Sequence, residues 1–216
     1  MKLLILITCI SFTNRLTAQG NTNSNGDRYS TDTATILGIR YVGHVDFTGF
    51  HLKTSTSKTT VNIKGEFTSV EFRDIDLDGY KDILLDHGGN IPERYSLLLY
   101  IAKWKRFQSV SNFNLFPSPV KVKRTKYFYS YHKNGCADLD WVSDLFYIEN
   151  FKAKRVGKID AVGCGTERVQ PKIYIYKISG SSQKLIETFP INYVEKFEDT
   201  KWGFIKNYWF KKYKNF

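Results

Sequence analysis

The chain has few cysteines, few acidic residues relative to its basic ones, and no long apolar run after its N-terminal segment. Its three cysteines show no C-x-x-C spacing and no accompanying histidine cluster, so nothing indicates a zinc site. The G-x-S-x-G, H-E-x-x-H and P-loop motifs are all absent, and we therefore expect a protein that is not an enzyme. No later stretch approaches the roughly 20 apolar residues of a membrane-spanning helix.

The N-terminal segment has the pattern of a secretory signal. A basic residue precedes an apolar run over residues 3–12, and small residues before Gln19 form an acceptable cleavage site. We therefore predict a signal peptide over residues 1–18 and an exported protein, periplasmic or secreted. The alternative is an outer-surface lipoprotein attached through Cys9, but Thr8 is a poor residue before such a cysteine.

The remaining chain predicts one β-rich domain after a tether. Residues 19–33 are polar and rich in Asn, Ser and Thr, as in a flexible linker, and residues 34–216 show no internal linker. Three aromatic-rich hairpins are predicted over residues 96–110, 144–159 and 172–189. They favour an all-β fold, a small or degenerate β-propeller-like antiparallel architecture, with a β-sandwich as the alternative.

Fewer segments favour other structure. Residues 112–116 and 191–197 indicate helix only weakly. The tail, residues 202–216, alternates aromatic residues with lysines, and we expect a closing strand or an exposed basic patch there.

Residues 74–82 read D-x-D-x-D-G-x-x-D, with four acidic residues close together in a basic chain. Like charges at this spacing are unfavourable unless a cation neutralises them, and alternating acids followed by glycine form the first half of a calcium loop. The alternative is a solvated acidic turn. Leu85 stands where an EF-hand needs glutamate, and the flanks read as strands rather than helices. The predicted Ca²⁺ ligands are Asp74, Asp76, Asp78, the backbone carbonyl of Tyr80, and Asp82.

This strand, loop and strand arrangement resembles the FG-GAP and VCBS-type repeat families, whose calcium loops have the same D-x-D-x-D-G-x-x-D form. The resemblance covers about residues 67–100. It implies calcium ligation by the four loop aspartates and a propeller-like fold.

Two cysteines remain after removal of the signal peptide, Cys136 and Cys164. Both stand beside glycine, which suggests tight turns, and an even pair in an oxidising compartment predicts a disulfide. Two unrelated buried thiols are the alternative.

The segment over residues 127–141 combines aromatic residues with a turn at Cys136. A turn held by a disulfide is preorganised for binding, and we predict a partner-binding surface at Tyr131, His132 and Asn134. An ordinary loop above core tyrosines is the alternative. Asp138 and Asp140 could form the carboxylate pair of a hydrolase, although an exposed acidic turn is favoured.

The order of features over residues 67–160 resembles a group of exported bacterial proteins with a propeller-like calcium fold. That group includes periplasmic inhibitors of invertebrate-type lysozymes and immunity proteins against peptidoglycan-cleaving toxins, in which a loop plugs the hydrolase cleft. The resemblance implies a cell-wall hydrolase or toxin as the protein partner. The formal charge of +11 is a departure, because an inhibitor of a cationic lysozyme would be acidic. An envelope glycan bound by an adhesin-like module is the alternative, while export argues against nucleic acid.

Overall fold

A computed structural model describes residues 30–55, 59–165 and 170–216, and over these residues the chain is almost entirely β-structure. The strands form three antiparallel sheets, none of which closes into a barrel within the described ranges. The all-β prediction is therefore confirmed. The predicted signal peptide and residues 19–29 of the predicted tether lie outside the described residues.

The first sheet is a meander in which each strand pairs with the next one along the chain. Its strands are β1 (Ser30–Ile36), β2 (Ile39–Asp46), β3 (Gly49–Thr54) and β4 (Thr59–Ile63). Along β2, Tyr41 and Val45 point into the core, while alternate residues point outward, as the two-residue period of a strand requires.

The second sheet is another meander, and it contains the acidic loop (residues 74–82). Its strands are β5 (Ser69–Arg73), β6 (Asp82–Asp86), β7 (Tyr95–Ile101) and β8 (Arg106–Val110). The predicted strands on either side of the acidic loop and the predicted hairpin over residues 96–110 are confirmed. β6 is buried on both faces, which explains its continuous apolar run.

Side chains of β1 connect the first two sheets. The Val70 N–H donates to Ser30 Oγ at 3.2 Å, and the Phe72 N–H donates to Asp32 Oδ2 at 2.7 Å. Because the contacts advance by two residues on each strand, β1 and β5 run in the same direction. β1 therefore includes residues 30–33 of the predicted tether over residues 19–33.

The third sheet has the strand order β15-β14-β13-β12-β10-β9, and β11 also pairs with β12. Its strands are β9 (Val120–Lys121), β10 (Tyr127–Tyr129), β11 (His132–Lys133), β12 (Trp141–Glu149), β13 (Lys152–Val162), β14 (Lys172–Ser179) and β15 (Ser182–Pro190). The predicted hairpins over residues 144–159 and 172–189 are confirmed as β12–β13 and β14–β15.

Three hydrophobic clusters lie between successive layers. One joins the first and second sheets around Phe50 and Leu85. Another joins the second and third sheets around Leu84 and Phe146. Since adjacent residues Leu84 and Leu85 contribute to different clusters, the second sheet is covered on both faces and forms the centre of the stack.

The tail does not form a closing strand, so that part of the expectation was wrong. Residues Thr200–Lys212 form helix α1, with Phe204, Ile205, Tyr208 and Trp209 buried. These positions recur with the spacing of a helix rather than a strand, and they cover the outer face of the third sheet. The two weak helix indications are confirmed only as short 3-10 helices, Phe113–Leu115 and Ile191–Lys196.

Helix α1 is fixed to the third sheet through Trp209. Its side chain is fully buried, and its Nε1–H donates to Ser143 Oγ at 2.8 Å. Gly157 lies beneath it, where an added Cβ would approach the Trp209 and Phe216 rings to within 3.0 Å. Within the described ranges, α1 included, no helix has both the length and the hydropathy needed to cross a bilayer.

We expect Trp209→Ala to lower the free energy of unfolding by about 3–5 kcal/mol, because it leaves a large cavity in the core. The matched control is Trp104→Ala, since Trp104 is 50% exposed at a hairpin turn and should change stability by less than about 0.5 kcal/mol. Equilibrium urea unfolding measures both values. Equal effects of the two substitutions would contradict the docking of α1 described above.

Candidate functional sites

The acidic loop is closed by its own carboxylates. The Gly79 N–H donates to Asp74 Oδ2 at 3.0 Å, the Asp78 N–H donates to Asp74 Oδ1 at 3.1 Å, and the Tyr80 N–H donates to Asp78 Oδ1 at 2.8 Å. Gly79 has a φ of +95°, a conformation that a Cβ would strain. The D-G pair therefore turns the chain sharply and leaves the aspartates on the inside of the turn.

Three of the predicted ligands come together in this loop. One carboxylate oxygen from each of Asp74, Asp76 and Asp78 lies within 4.8 Å of the other two. Oxygens that share a Ca²⁺ ion at its usual bond lengths are at most about 5 Å apart, so this spacing fits such an ion. The Tyr80 carbonyl belongs to the same turn and remains a predicted ligand.

Asp82 lies apart from this group of oxygens. It is fully buried at the start of β6, where Oδ2 accepts the Ile75 N–H at 3.0 Å and Oδ1 accepts the Tyr100 N–H at 2.9 Å. The carboxylate therefore ties the beginning of the loop to β7. Its role as a direct or water-mediated calcium ligand remains a prediction.

The loop concentrates negative charge at a partly buried position. Burial raises the pKa of Asp76, and the neighbouring Asp78 adds to the rise. Burial also raises the pKa of Asp82 to about 7, although its two backbone hydrogen bonds oppose the rise. Each of these carboxylates is poorly compensated, which is the electrostatic condition that favours a bound cation.

Lys121 is a cation near the acidic loop, and its proximity to the loop was not predicted from the sequence. Burial lowers the pKa of Lys121, while the charges of Asp76 and Asp74 oppose that shift. Its Nζ also lies 4.2 Å from the centre of the Phe128 ring. Only the basic run over residues 121–124 was visible in the sequence, and strand β9 brings its first lysine to the loop.

A second buried carboxylate, Asp144, lies on β12 in the third sheet. Arg155 Nε is 2.9 Å from Asp144 Oδ1, but the contact is not aligned as a hydrogen bond. Burial raises the pKa of Asp144 to about 6, against the opposing charge of Arg155. Neither the depth of this residue nor its partner was apparent from the sequence.

The predicted disulfide is present between Cys136 and Cys164, whose Cα atoms are 6.2 Å apart. It holds the disulfide turn (residues 134–140) against the end of β13. Asp140 reinforces the connection, because its Oδ1 accepts the Gly163 N–H at 2.7 Å and the Cys164 N–H at 3.0 Å.

The three predicted partner-binding residues do not share one environment. Tyr131 is buried, with 7% of its surface exposed, and His132 is half-buried in β11. Asn134 is exposed, and its N–H donates to the Asp140 carbonyl at 2.8 Å. Of the three, Asn134 is therefore the most available to a partner in this conformation.

Helix α1 supplies the exposed part of this surface. Lys201 Nζ donates to Asp138 Oδ2 at 2.5 Å and to Tyr131 Oη at 3.0 Å, and the Tyr131 hydroxyl also donates to Asp138. Trp202 is 43% exposed and its ring lies 4.0 Å from that of Tyr131. The disulfide turn and α1 thus meet at one aromatic surface, and Leu139 of the same turn is 57% exposed.

Asp138 and Asp140 both accept hydrogen bonds, which would have to break before the two carboxylates could act as the catalytic pair of a hydrolase. Burial alone would raise the pKa of Asp138, but hydrogen bonds from Lys201 and Tyr131 outweigh it and hold the pKa below its usual value. A general acid needs the opposite shift. Asp140 accepts two backbone N–H groups, so both carboxylates act here as structural hydrogen-bond acceptors.

No protein-family model and no curated protein matches the chain. A solved structure with a similar fold is described as that of a Xanthomonas type IV secretion system related protein. The two chains are 15% identical, with a TM-score of 0.52, and the match covers 79% of this chain and 98% of that chain. At such low identity the likeness bears on the fold alone.

We expect the metal-free protein to lose stability as the pH rises from about 4 to about 7. The folded protein holds protons on Asp144 and Asp82, whose pKa values are about 6 and about 7. The unfolded chain releases the same protons near pH 3.8. Thermal melting in chelator-treated buffers at several pH values measures the slope.

Two substitutions separate the contributions of these carboxylates to that slope. Asp144→Asn should flatten the profile below about pH 6, and Asp82→Asn should flatten the part that extends to about pH 7. Asp82→Asn also removes a backbone acceptor, so the change of slope is the relevant measurement, not the absolute melting temperature. Profiles parallel to that of the parent protein would refute the assignment.

Proposed function

We propose that the chain is an exported, calcium-stabilised binding protein without catalytic activity, acting as an inhibitor or immunity protein against a cell-wall hydrolase. The observation that carries the calcium part is the convergence of the Asp74, Asp76 and Asp78 oxygens. The disulfide is in keeping with an oxidising compartment, periplasmic or extracellular.

We also propose that the sheets are blades of an incomplete propeller. Successive antiparallel meanders stack face to face, and the first strands of the first two sheets run in the same direction. Neighbouring propeller blades have this relationship. The proposal agrees with the resemblance to FG-GAP and VCBS-type repeats, whose calcium loops join two strands of a blade.

In this proposal calcium stabilises the scaffold and does not take part in recognition. The acidic loop joins β5 to β6 in the central sheet, and Asp82 connects it to β7. The ion would neutralise the carboxylates of Asp74, Asp76 and Asp78, whose oxygens lie within 4.8 Å of one another. The stable sheet would then support the partner-binding surface on the neighbouring layer.

The partner-binding surface is proposed to be the aromatic surface formed by the disulfide turn and α1. Asn134, Leu139 and Trp202 are its exposed members, and Tyr131 supports Trp202 from below. Exposed aromatic residues on a rigid support are typical of binding hot spots. The formal charge of +11 suits a partner with an acidic cleft.

An envelope glycan is the second candidate ligand, and one observation favours it. Trp202 borders an open cavity of about 480 Å³ that also includes Tyr131, Glu198, Asp199 and Lys206. An aromatic ring beside carboxylate and ammonium groups could stack on a sugar and hydrogen-bond its hydroxyls. Binding of isolated peptidoglycan fragments, lost in Trp202→Ala, would favour this candidate over a hydrolase.

The calcium proposal predicts that chelation lowers the melting temperature and that Asp76→Ala abolishes the response to calcium. The control is Glu198→Ala, an exposed carboxylate near α1 that should leave the response intact. The stabilisation by millimolar calcium should be larger at pH 8 than at pH 5, because protons compete for the raised-pKa carboxylates. Identical melting curves with EDTA and with calcium would exclude the site.

The inhibitor proposal predicts that the mature domain slows a peptidoglycan hydrolase at micromolar concentration or below. Partners are captured on the immobilised domain, and their activity is assayed with and without it. Trp202→Ala and Asn134→Ala should weaken inhibition at least tenfold, which corresponds to about 1.4 kcal/mol. Trp104→Ala, in a hairpin of another sheet, is the matched control.

The inhibitor proposal would be wrong if no hydrolase were bound or slowed by the mature domain at micromolar concentration. Equal losses in Trp202→Ala and Trp104→Ala would place the contact elsewhere than on the surface formed by the disulfide turn and α1.

A further inference from the structure

A second cluster of metal-ligating side chains lies on the outer face of the first sheet, away from the acidic loop. Thr31, His44, His51 and Asn62 occupy directly opposed positions on β1, β2, β3 and β4, so their side chains form one row across the sheet. Asp46 lies two residues beyond His44 on the same face of β2. The row borders an open cavity of about 720 Å³.

Both imidazole rings are oriented by neighbours on the outer strands. His44 Nδ1 lies 2.9 Å from Thr31 Oγ1, and His51 Nδ1 lies 2.8 Å from Asn62 Oδ1. Metal-binding histidines are commonly held in this way, with one ring nitrogen fixed by a second residue and the other directed to the ion.

The other ring nitrogens are directed to one carboxylate. His44 Nε2 lies 3.7 Å from Asp46 Oδ2, and His51 Nε2 lies 3.4 Å from Asp46 Oδ1. Ligands around a tetrahedral zinc ion with bonds of 2.0–2.1 Å are separated by about 3.3–3.4 Å. The separation between His51 and Asp46 therefore matches that of a zinc site, and the separation between His44 and Asp46 is longer.

We propose that His44, Asp46 and His51 bind a divalent first-row transition ion such as Zn²⁺. Two imidazole nitrogens and one carboxylate suit this class of metal, whereas Ca²⁺ takes oxygen ligands. Water would complete the coordination from the open side of the cavity. Thr31 and Asn62 are positioning residues, which hold the imidazoles and do not contact the ion.

Metal binding requires the side chains to rearrange, because His44, Asp46 and His51 do not each place a ligand atom within 4.8 Å of the other two in this conformation. The Thr48 hydroxyl lies 2.8 Å from His51 Nε2 and donates to Asp46 Oδ1 at 2.6 Å, so it bridges two of the three ligands. The two imidazoles also approach different oxygens of Asp46. The ion would replace the Thr48 bridge, and rotation of the side chains would bring both rings to it.

This site is separate from the acidic loop. β1 and β5 run in the same direction, so the β2–β3 turn after Asp46 and the acidic loop between β5 and β6 lie at opposite ends of the stacked sheets. The two sites also differ in their ligand atoms. Loss of one ion should therefore leave the other in place.

The test uses the untagged mature protein, stripped with chelator and then titrated with Zn²⁺ by calorimetry and with Co²⁺ by visible absorption. We expect one saturable equivalent and a cobalt spectrum showing nitrogen and oxygen ligands. His51→Ala and His44→Ala should each weaken binding at least 100-fold, and Asn62→Ala about 10–100-fold, as removal of an outer-shell partner does.

The matched controls are His87→Ala, a histidine in the β6–β7 loop, and Asp76→Ala in the acidic loop, both of which should keep the zinc equivalent. Circular dichroism of each variant checks that it is folded. Absence of saturable binding, or undiminished binding in folded His44→Ala and His51→Ala, would overturn the proposal. Loss of zinc binding in Asp76→Ala alone would assign the ion to the acidic loop and overturn it equally.

Discussion

The buried carboxylate of Asp82 is the interaction on which the central layer depends. It accepts one backbone N–H from the acidic loop and one from β7, so it fixes the loop to the sheet that lies between the other two. A carboxylate in this position is expensive to ionise, and the neighbouring aspartates increase the cost. The carboxylates that organise this scaffold are therefore also those whose charge the proposed calcium ion would neutralise.

Local sequence patterns were sufficient for most of the sheets. The hairpins β7–β8, β12–β13 and β14–β15 and the strands beside the acidic loop follow from apolar alternation and turn residues close in sequence. The tail could not be assigned in this way, because aromatic residues and lysines suit a strand and a helix alike. What selects the helix is the third sheet, against which Trp209 and its neighbours are buried.

The candidate sites also differ in whether their residues are close together in the sequence. The clustering of Asp74, Asp76 and Asp78 was readable because all three stand on one short loop. Other contacts could not be predicted from the sequence, namely those of Lys121, of Lys201 and of the row through His44 and His51. Strand pairing and helix docking bring these residues to their partners from distant parts of the chain. Tyr131 was predicted to contact a partner, but its side chain is buried. It supports the aromatic surface from below.

The contact between Lys201 and Asp138 has a consequence for the order of assembly. It joins a turn closed by a disulfide at residue 164 to a helix that begins at Thr200. A chain emerging from a translocation pore N-terminus first would form the first two sheets and the disulfide before this helix is available. The aromatic surface would therefore form last, after the first two sheets and the disulfide.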